Sequence, residues 1–161
     1  MSQGRARLGS KPGLRRVKLR LERMGNTQDR LRVSRGAGTN GKGSTGTMLQ
    51  NTLTLAGYRT GLYISPFVLD FRERIQIDGE MISPQELAEC TALVKAHWDA
   101  LDQIGETATE FEVVVAIAML YYLRKRCDVV VLEVGLGGQY DATNIIAAPL
   151  VSVITAVGLD H

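Results

Sequence analysis

The chain is short of several things that would have placed it in a special class. It has two cysteines in 161 residues, Cys90 and Cys127; their spacing suits neither a metal cage nor a redox pair, which predicts reduced thiols in a cytoplasmic protein. Its longest apolar run, Val113 to Leu123, is 11 residues, too short to cross a bilayer, so no membrane partner is expected. The first apolar residues are isolated among arginines, and no signal peptide is visible. Internal repeats and low-complexity segments are absent. What remains, 45% hydrophobic and 22% charged residues, is ordinary for one globular domain large enough to bury a real core.

Acidic charge is scarce at the start of the chain. Residues 1–35 hold eleven Lys/Arg against only Glu22 and Asp29, a balance of +9, while the rest carries −7, giving the net +2. A basic arm of this kind suits nucleic acid or organelle targeting. It lacks any aromatic residue for stacking on bases, however. Leu14, Val17, Leu21 and Met24 also fall on one helical face between Pro12 and Gly25, so the arm reads as a docked amphipathic helix with a solvated basic side and no nucleic-acid partner. We divide the chain accordingly into a basic N-terminal helix region, 1–30, and a phosphate-loop domain, 31–161.

The motif that organises the chain is Gly36-Ala37-Gly38-Thr39-Asn40-Gly41-Lys42-Gly43-Ser44. Gly36, four residues and then Gly41-Lys42 is the spacing of a phosphate-binding loop (P-loop), in which glycines let several backbone N–H groups converge on one anion. Lys42 adds a mobile positive charge. A helix is predicted from Ser44 to Ala56, with Thr45, Met48, Leu49, Thr52, Leu53 and Ala56 on its buried face and Gly57 as its stop. An anion in the loop would sit at the positive end of that helix. The hydroxyl residue that usually follows the lysine and holds magnesium is missing, because Gly43 stands between Lys42 and Ser44.

A strand over 31–35 should feed the loop. A second is expected over 58–64, and 71–82 alternates around Asp78-Gly79 as a small hairpin. Ser83-Pro84-Gln85-Glu86 is a capping box ahead of a stripe of Leu87, Thr91, Val94, Trp98 and Leu101; His97 lies off that stripe and reads as a surface residue. After a polar loop over 102–108, a second capping box, Thr109 to Glu112, opens a helix that is apolar nearly all round and therefore buried. The runs 128–134 and 150–155 look like strands of a parallel sheet covered on both faces. The predicted architecture is a doubly wound, mostly parallel α/β domain with a P-loop.

In such sheets ligands bind beyond the carboxyl ends of the strands. The residues that stand out gather there: the P-loop after the first strand, Ser65 after the second, Glu133 at the end of the third, and Asp160-His161 after the fourth. Glu133 interrupts Val-Val-Val-Leu-Glu-Val-Gly, where a carboxylate is costly unless a cation answers it. That cation is either a buried Lys or Arg, or a magnesium ion held with Ser65 and His161. His161 is equally readable as the last residue and nothing more.

Seven blocks in register resemble one family. Gly38-Thr-Asn-Gly-Lys-Gly-Ser44, Tyr63-Ile-Ser-Pro66, Asp70-Phe-Arg-Glu-Arg-Ile75, Thr109-Glu-Phe-Glu112, Leu132-Glu-Val-Gly-Leu-Gly-Gly138, Asp141-Ala-Thr-Asn144 and Gly158-Leu-Asp-His161 occur in the order of the folylpolyglutamate synthase/dihydrofolate synthase family of the Mur ligase superfamily. The resemblance implies an ATP-dependent, acyl-phosphate route joining L-glutamate to dihydropteroate or a folate in a monomeric enzyme. Carried over by motif, Thr39, Asn40, Gly41, Lys42, Gly43 and Ser44 would bind the ATP phosphates. Lys42, Glu133 and His161 would be catalytic, and Ser65, Glu133 and His161 would hold Mg2+. Thr109, Glu110, Phe111, Glu112, Tyr140, Asp141 and Ala142 would face the pterin, and Arg72 and Arg74 are candidates for substrate carboxylates. Phe67 and Gln139 stand where members commonly have His and Arg. The family's further sequence implies that this chain is a truncated Mur-ligase central domain without the C-terminal domain. Two alternatives stay open at this point, another Mur-type amide ligase and a non-catalytic nucleotide-binding module.

Overall fold

Consecutive strand–helix units that run parallel must carry their helices over the faces of the sheet. The computed structural model describes residues 14–102, 109–135 and 141–158. Within them the elements are α1 (Leu14–Arg23), β1 (Val33–Ala37), α2 (Lys42–Leu55), β2 (Thr60–Tyr63), β3 (Ile75–Ile77), β4 (Glu80–Met81), α3 (Pro84–Asp102), α4 (Glu110–Arg124), β5 (Val129–Glu133) and β6 (Val151–Ile154). One six-stranded sheet runs in the order β4-β3-β2-β5-β1-β6. Strands β2, β5, β1 and β6 are parallel, and the β3–β4 hairpin joins antiparallel at the β2 side.

The crossover from β1 through α2 lands on β2, beyond β5, whereas the chain leaving β5 returns on the far side of β1 as β6. Neighbouring strands β1 and β5 thus send their connections in opposite directions, which opens a crevice between their carboxyl ends. Register sharpens this: Gly36 at the entry to the P-loop lies opposite Glu133.

Helix α2 covers one face of the sheet. Leu62 of β2 and Val131 of β5 point at Gly46, whose position leaves 3.4 and 3.6 Å from a Cβ to their side chains. On the other face Tyr63, Val130 and Leu132 pack with Val17 and Leu21 of α1, Val94 and Trp98 of α3, and Ala116, Met119 and Tyr122 of α4. Each large side chain buried in this layer contributes about 1.5–3 kcal/mol, and Tyr122 also donates a hydrogen bond to the Leu62 carbonyl at 2.5 Å. The amphipathic N-terminal helix therefore docks as its pattern predicts, and both capping boxes form: Glu86 N–H donates to Ser83 Oγ at 3.2 Å, and Thr109 N–H to Glu112 Oε2 at 2.7 Å.

Three expectations change. Helix α2 turns its Gly46–Gln50 side to the sheet, so Met48 is 67% exposed and Thr52 is exposed; the Gln50 amide is tolerated inside because it donates to the Thr60 carbonyl at 3.4 Å. In α3 the buried residue is Cys90 rather than Thr91. Strand β6 is an edge strand with Val151 46% and Ile154 71% exposed, not a strand covered on both faces. Smaller shifts are a 3-10 turn over Phe71–Arg74 where the hairpin was expected to begin, and an α3 that continues to Asp102. The polar loop beyond it, and the first residues of the basic arm, lie outside the described residues. His97 is exposed, as expected.

Candidate active site

Strand β1 ends at Ala37 and the chain turns sharply into α2. Gly38 has φ of 138° and Gly41 φ of 81°. A Cβ on Gly38 would stand 2.1 Å from Thr155 Oγ1, so only glycine fits this close approach. Gly41 caps α2 without any side-chain hydrogen bond, and no acidic residue occupies the first turn. The helix therefore presents its amide end and its positive dipole with no anionic side chain of its own in that turn. Lys42 is the first residue of α2; its Nζ donates to the Thr39 carbonyl at 3.2 Å and lies 4.0 Å from Glu133 Oε1.

Glu133 closes β5 and is 7% exposed. Its Oε2 accepts a hydrogen bond from the Ser65 N–H at 3.0 Å. Burial pushes its pKa above the ordinary value, and the Ser65 N–H and the Lys42 charge pull the other way. A Cβ at position 43 would lie 3.4 Å from the same Oε2. The glycine that displaced the usual hydroxyl is thus the residue that faces the carboxylate. Of the sequence-predicted metal set, Ser65 and Glu133 come together, while His161 lies outside the described residues. Among the described residues no three His, Cys, Asp or Glu side chains cluster as a metal cage.

Beside these groups opens a cleft of about 290 Å³ lined by Ser65, Pro66, Arg74, Phe111, Gly135 and Asp141. The capping box at Thr109 and Glu112 fixes the start of α4 and so aims Phe111, whose ring meets Tyr63 edge-on at 6.1 Å. Asp141 caps a 3-10 turn over Ala142–Ile145, accepting from the Thr143 N–H at 2.8 Å and its hydroxyl at 2.5 Å. A Cβ at Gly135 would stand 3.1 Å from the other Asp141 oxygen, Oδ2. Of the residues predicted to face a substrate, Phe111 and Asp141 line this cleft. Thr109 and Glu112 hydrogen-bond to each other, Glu110 is exposed 3.9 Å from Arg74, Ala142 is buried, and Tyr140 lies outside the described residues.

The two arginines separate. Arg72 is held by Asp70, with Nη2 donating to Oδ2 at 2.6 Å. Arg74 reaches the cleft; its guanidinium lies 5.2 and 5.3 Å from the centroids of the Phe67 and Phe71 rings, and its buried Nε has no hydrogen-bond partner. A cation flanked by aromatic faces on the wall of a cleft suits an acceptor-bearing ligand. Sequence reasoning did not find Arg35, on β1, which donates to the Asn144 side chain of the Asp141 turn, nor Thr155, which touches the P-loop. A charged residue inside a strand was the available signal for Arg35; Thr155 gave none.

No protein-family profile matches the chain. The dihydrofolate synthase/folylpolyglutamate synthase of Bacillus subtilis is 43% identical over 161 residues, covering 98% of this chain and 37% of that protein. Among solved structures, folylpolyglutamate synthase from Thermotoga maritima superposes with a TM-score of 0.89 at 41% identity, over 92% of this chain and 35% of that one. An FPGS bound to AMPPCP and folate gives a TM-score of 0.91 at 41% identity, over 98% of this chain and 39% of that one. The chain spans little more than a third of the length of these three relatives.

Proposed function

We propose that this chain, which belongs to the folylpolyglutamate synthase/dihydrofolate synthase family over the third of those proteins' length that it spans, supplies the phosphate-binding and pterin-facing part of an ATP-dependent glutamate ligase. The observation that carries the reading is the convergence, at the carboxyl ends of β1, β2 and β5, of a glycine-built P-loop, the buried carboxylate of Glu133, and a cleft walled by Phe111, Arg74 and Asp141. The complex of a related FPGS with an ATP analogue and folate supports both ligands here.

In this reading Thr39 to Ser44 surround the β- and γ-phosphates and Lys42 neutralises the charge of the transferring phosphoryl group. A carboxylate oxygen of dihydropteroate or a folate attacks the γ-phosphorus as the bond to the leaving ADP oxygen breaks. The amino nitrogen of L-glutamate then attacks the acyl carbon; inorganic phosphate leaves, and the nitrogen gives up a proton to form the amide. The cleft's part is positioning, with the heteroaromatic ring against Phe111 and its N–H groups toward the Asp141 carboxylate. Ser65, Glu133 and His161 would hold Mg2+; the hydroxyl and the buried carboxylate, which the structure brings together, suit it, and the imidazole is the odd member of the set. When bound, the ion would share the neutralisation of the phosphates. The free thiols of Cys90 and Cys127 accord with a cytoplasmic location.

The test is a calorimetric titration of the chain with AMPPCP in magnesium buffer, alongside Lys42→Met, followed by an assay of glutamate incorporation into dihydropteroate or folate. Binding that drops at least tenfold in the variant, with ATP-dependent incorporation, is expected. Absence of binding by the parent chain, or incorporation that ignores ATP, would overturn the reading.

A further inference from the structure

The P-loop is tied down by the segment that follows β6, and the ties are specific in direction. Thr39 N–H donates to the Ala156 carbonyl at 2.7 Å, and Asn40 pairs with Ala156 in an isolated antiparallel bridge. Gly158 N–H donates to Thr39 Oγ1 at 2.9 Å. At the centre is Thr155. Its Oγ1 lies 3.1 Å from the Ala37 carbonyl and 2.8 Å from the Asn40 carbonyl, while its backbone N–H also donates to Ala37 O at 2.9 Å.

These two carbonyls belong to the two shoulders of the loop. In a planar trans peptide the C=O and the next N–H point in opposite directions. Drawing Ala37 O and Asn40 O toward Thr155 therefore turns the N–H groups of Gly38 and Gly41 away from it, to the other side of the loop. A hydroxyl has one hydrogen, so it serves one carbonyl at a time, and it sits where it can hold either. Gly38 is packed against the same oxygen, which leaves the loop no room to relax toward β6.

We propose that Thr155 is a positioning residue for phosphate binding: through Ala37 and Asn40 its hydroxyl orients the loop amides that meet the anion. Thr155 touches no ligand itself. The inference rests on the P-loop reading above, and extends it to a residue outside the motif, distant from Lys42 in sequence though in contact with the loop.

The experiment compares Thr155→Val, which keeps the shape and deletes the hydroxyl, with Thr155→Ser, which keeps the hydroxyl and deletes the methyl. AMPPCP is titrated into each in magnesium buffer, and thermal midpoints are recorded. The valine variant is expected to bind about tenfold more weakly, a loss on the order of one hydrogen bond, and the serine variant within about twofold of the parent, an indifference that the same bond accounts for. If the valine variant does not fold, Thr155→Ala against the serine variant decides in the same way. Equal binding by parent and valine variant overturns the proposal and leaves the P-loop reading intact. Serine binding as poorly as valine also overturns it, because packing would then be the cause. A parent chain that does not bind AMPPCP at all overturns both.

Discussion

Replacing Gly38 by alanine separates the shape of the P-loop from its charge. The added Cβ would lie 2.1 Å from Thr155 Oγ1, 3.2 Å from Thr155 Cβ and 3.0 Å from the Ala156 carbonyl oxygen. The backbone at φ 138° is a region that costs a side-chain-bearing residue about 1–3 kcal/mol. Thr155 would have to swing off Ala37 and Asn40, forfeiting about 1 kcal/mol of hydrogen bonding, and the crowding at Ala156 adds about 1–3 kcal/mol of overpacking strain. Together these come to about 3–7 kcal/mol, a large share of the 5–15 kcal/mol that holds a domain together. Part of this strain can be relieved locally, since the loop is partly exposed at the carboxyl end of β1 and such regions open before the core does. The expected result is a lower urea midpoint and AMPPCP binding weakened at least tenfold, with the charge of Lys42 intact. Adding Thr155→Ala removes the nearest clashing atom, so the double variant should be more stable than the two single losses predict by about 1 kcal/mol. A Gly38→Ala chain with the parent's midpoint and affinity, or a strictly additive double variant, would refute the packing argument.

Two other perturbations test the carboxylate and the cleft. Glu133 is pushed up in pKa by burial, so the folded state holds its proton to higher pH than the unfolded chain, and the ligand-free protein loses stability as pH rises through that raised value. Glu133→Gln keeps the acceptor for the Ser65 N–H and removes the charge; its thermal midpoint without ligands should exceed the parent's at pH 7, with the difference gone at low pH, and magnesium should strengthen its AMPPCP binding less than it does the parent's. Parallel pH profiles for the two proteins would count against this. Arg74→Met retains apolar contact with Phe67 and Phe71 but not the charge, and is expected to weaken folate binding about tenfold, the scale of one charge-assisted hydrogen bond, while AMPPCP binding stays put. Arg72→Met, which breaks only the pair with Asp70, should change neither, and equal losses from both arginines would remove Arg74 from the cleft's recognition set.

The elements that were legible in the sequence are those whose signal is local. Both capping boxes, the turn at Asp78-Gly79 and the glycines of the P-loop each specify their own backbone, and the structure forms all of them. The buried run of β5 was legible because Val129 to Leu132 leaves no polar face to expose. What periodicity missed was the choice of face. In helix α2 the spacing pointed to the side with Met48; the sheet took the side with Gly46, where the backbone approaches Leu62 and Val131 closely. The hydrophobic signal measures what a helix could bury, whereas how closely the helix backbone comes to the sheet depends on the small residues at the contact, here Gly46. The same limit hid Thr155, whose role depends on a contact with Asn40 at a separation of 115 residues.

Gly43 joins the two kinds of signal. As sequence it is a departure, a gap where a hydroxyl was expected beside Lys42. In the structure a Cβ there meets Glu133 Oε2 at 3.4 Å, and a serine or threonine hydroxyl turned the same way, one bond further on, would come within hydrogen-bonding reach of that oxygen. The carboxylate is held there by the Ser65 N–H and by its register opposite Gly36. With glycine at position 43 no such hydroxyl is offered, and the hydrogen bond that Glu133 Oε2 accepts comes from the Ser65 N–H at the end of β2. The departure at Gly43 and the costly Glu133 in an otherwise apolar strand are two ends of a single arrangement, which is why neither makes sense as a local feature.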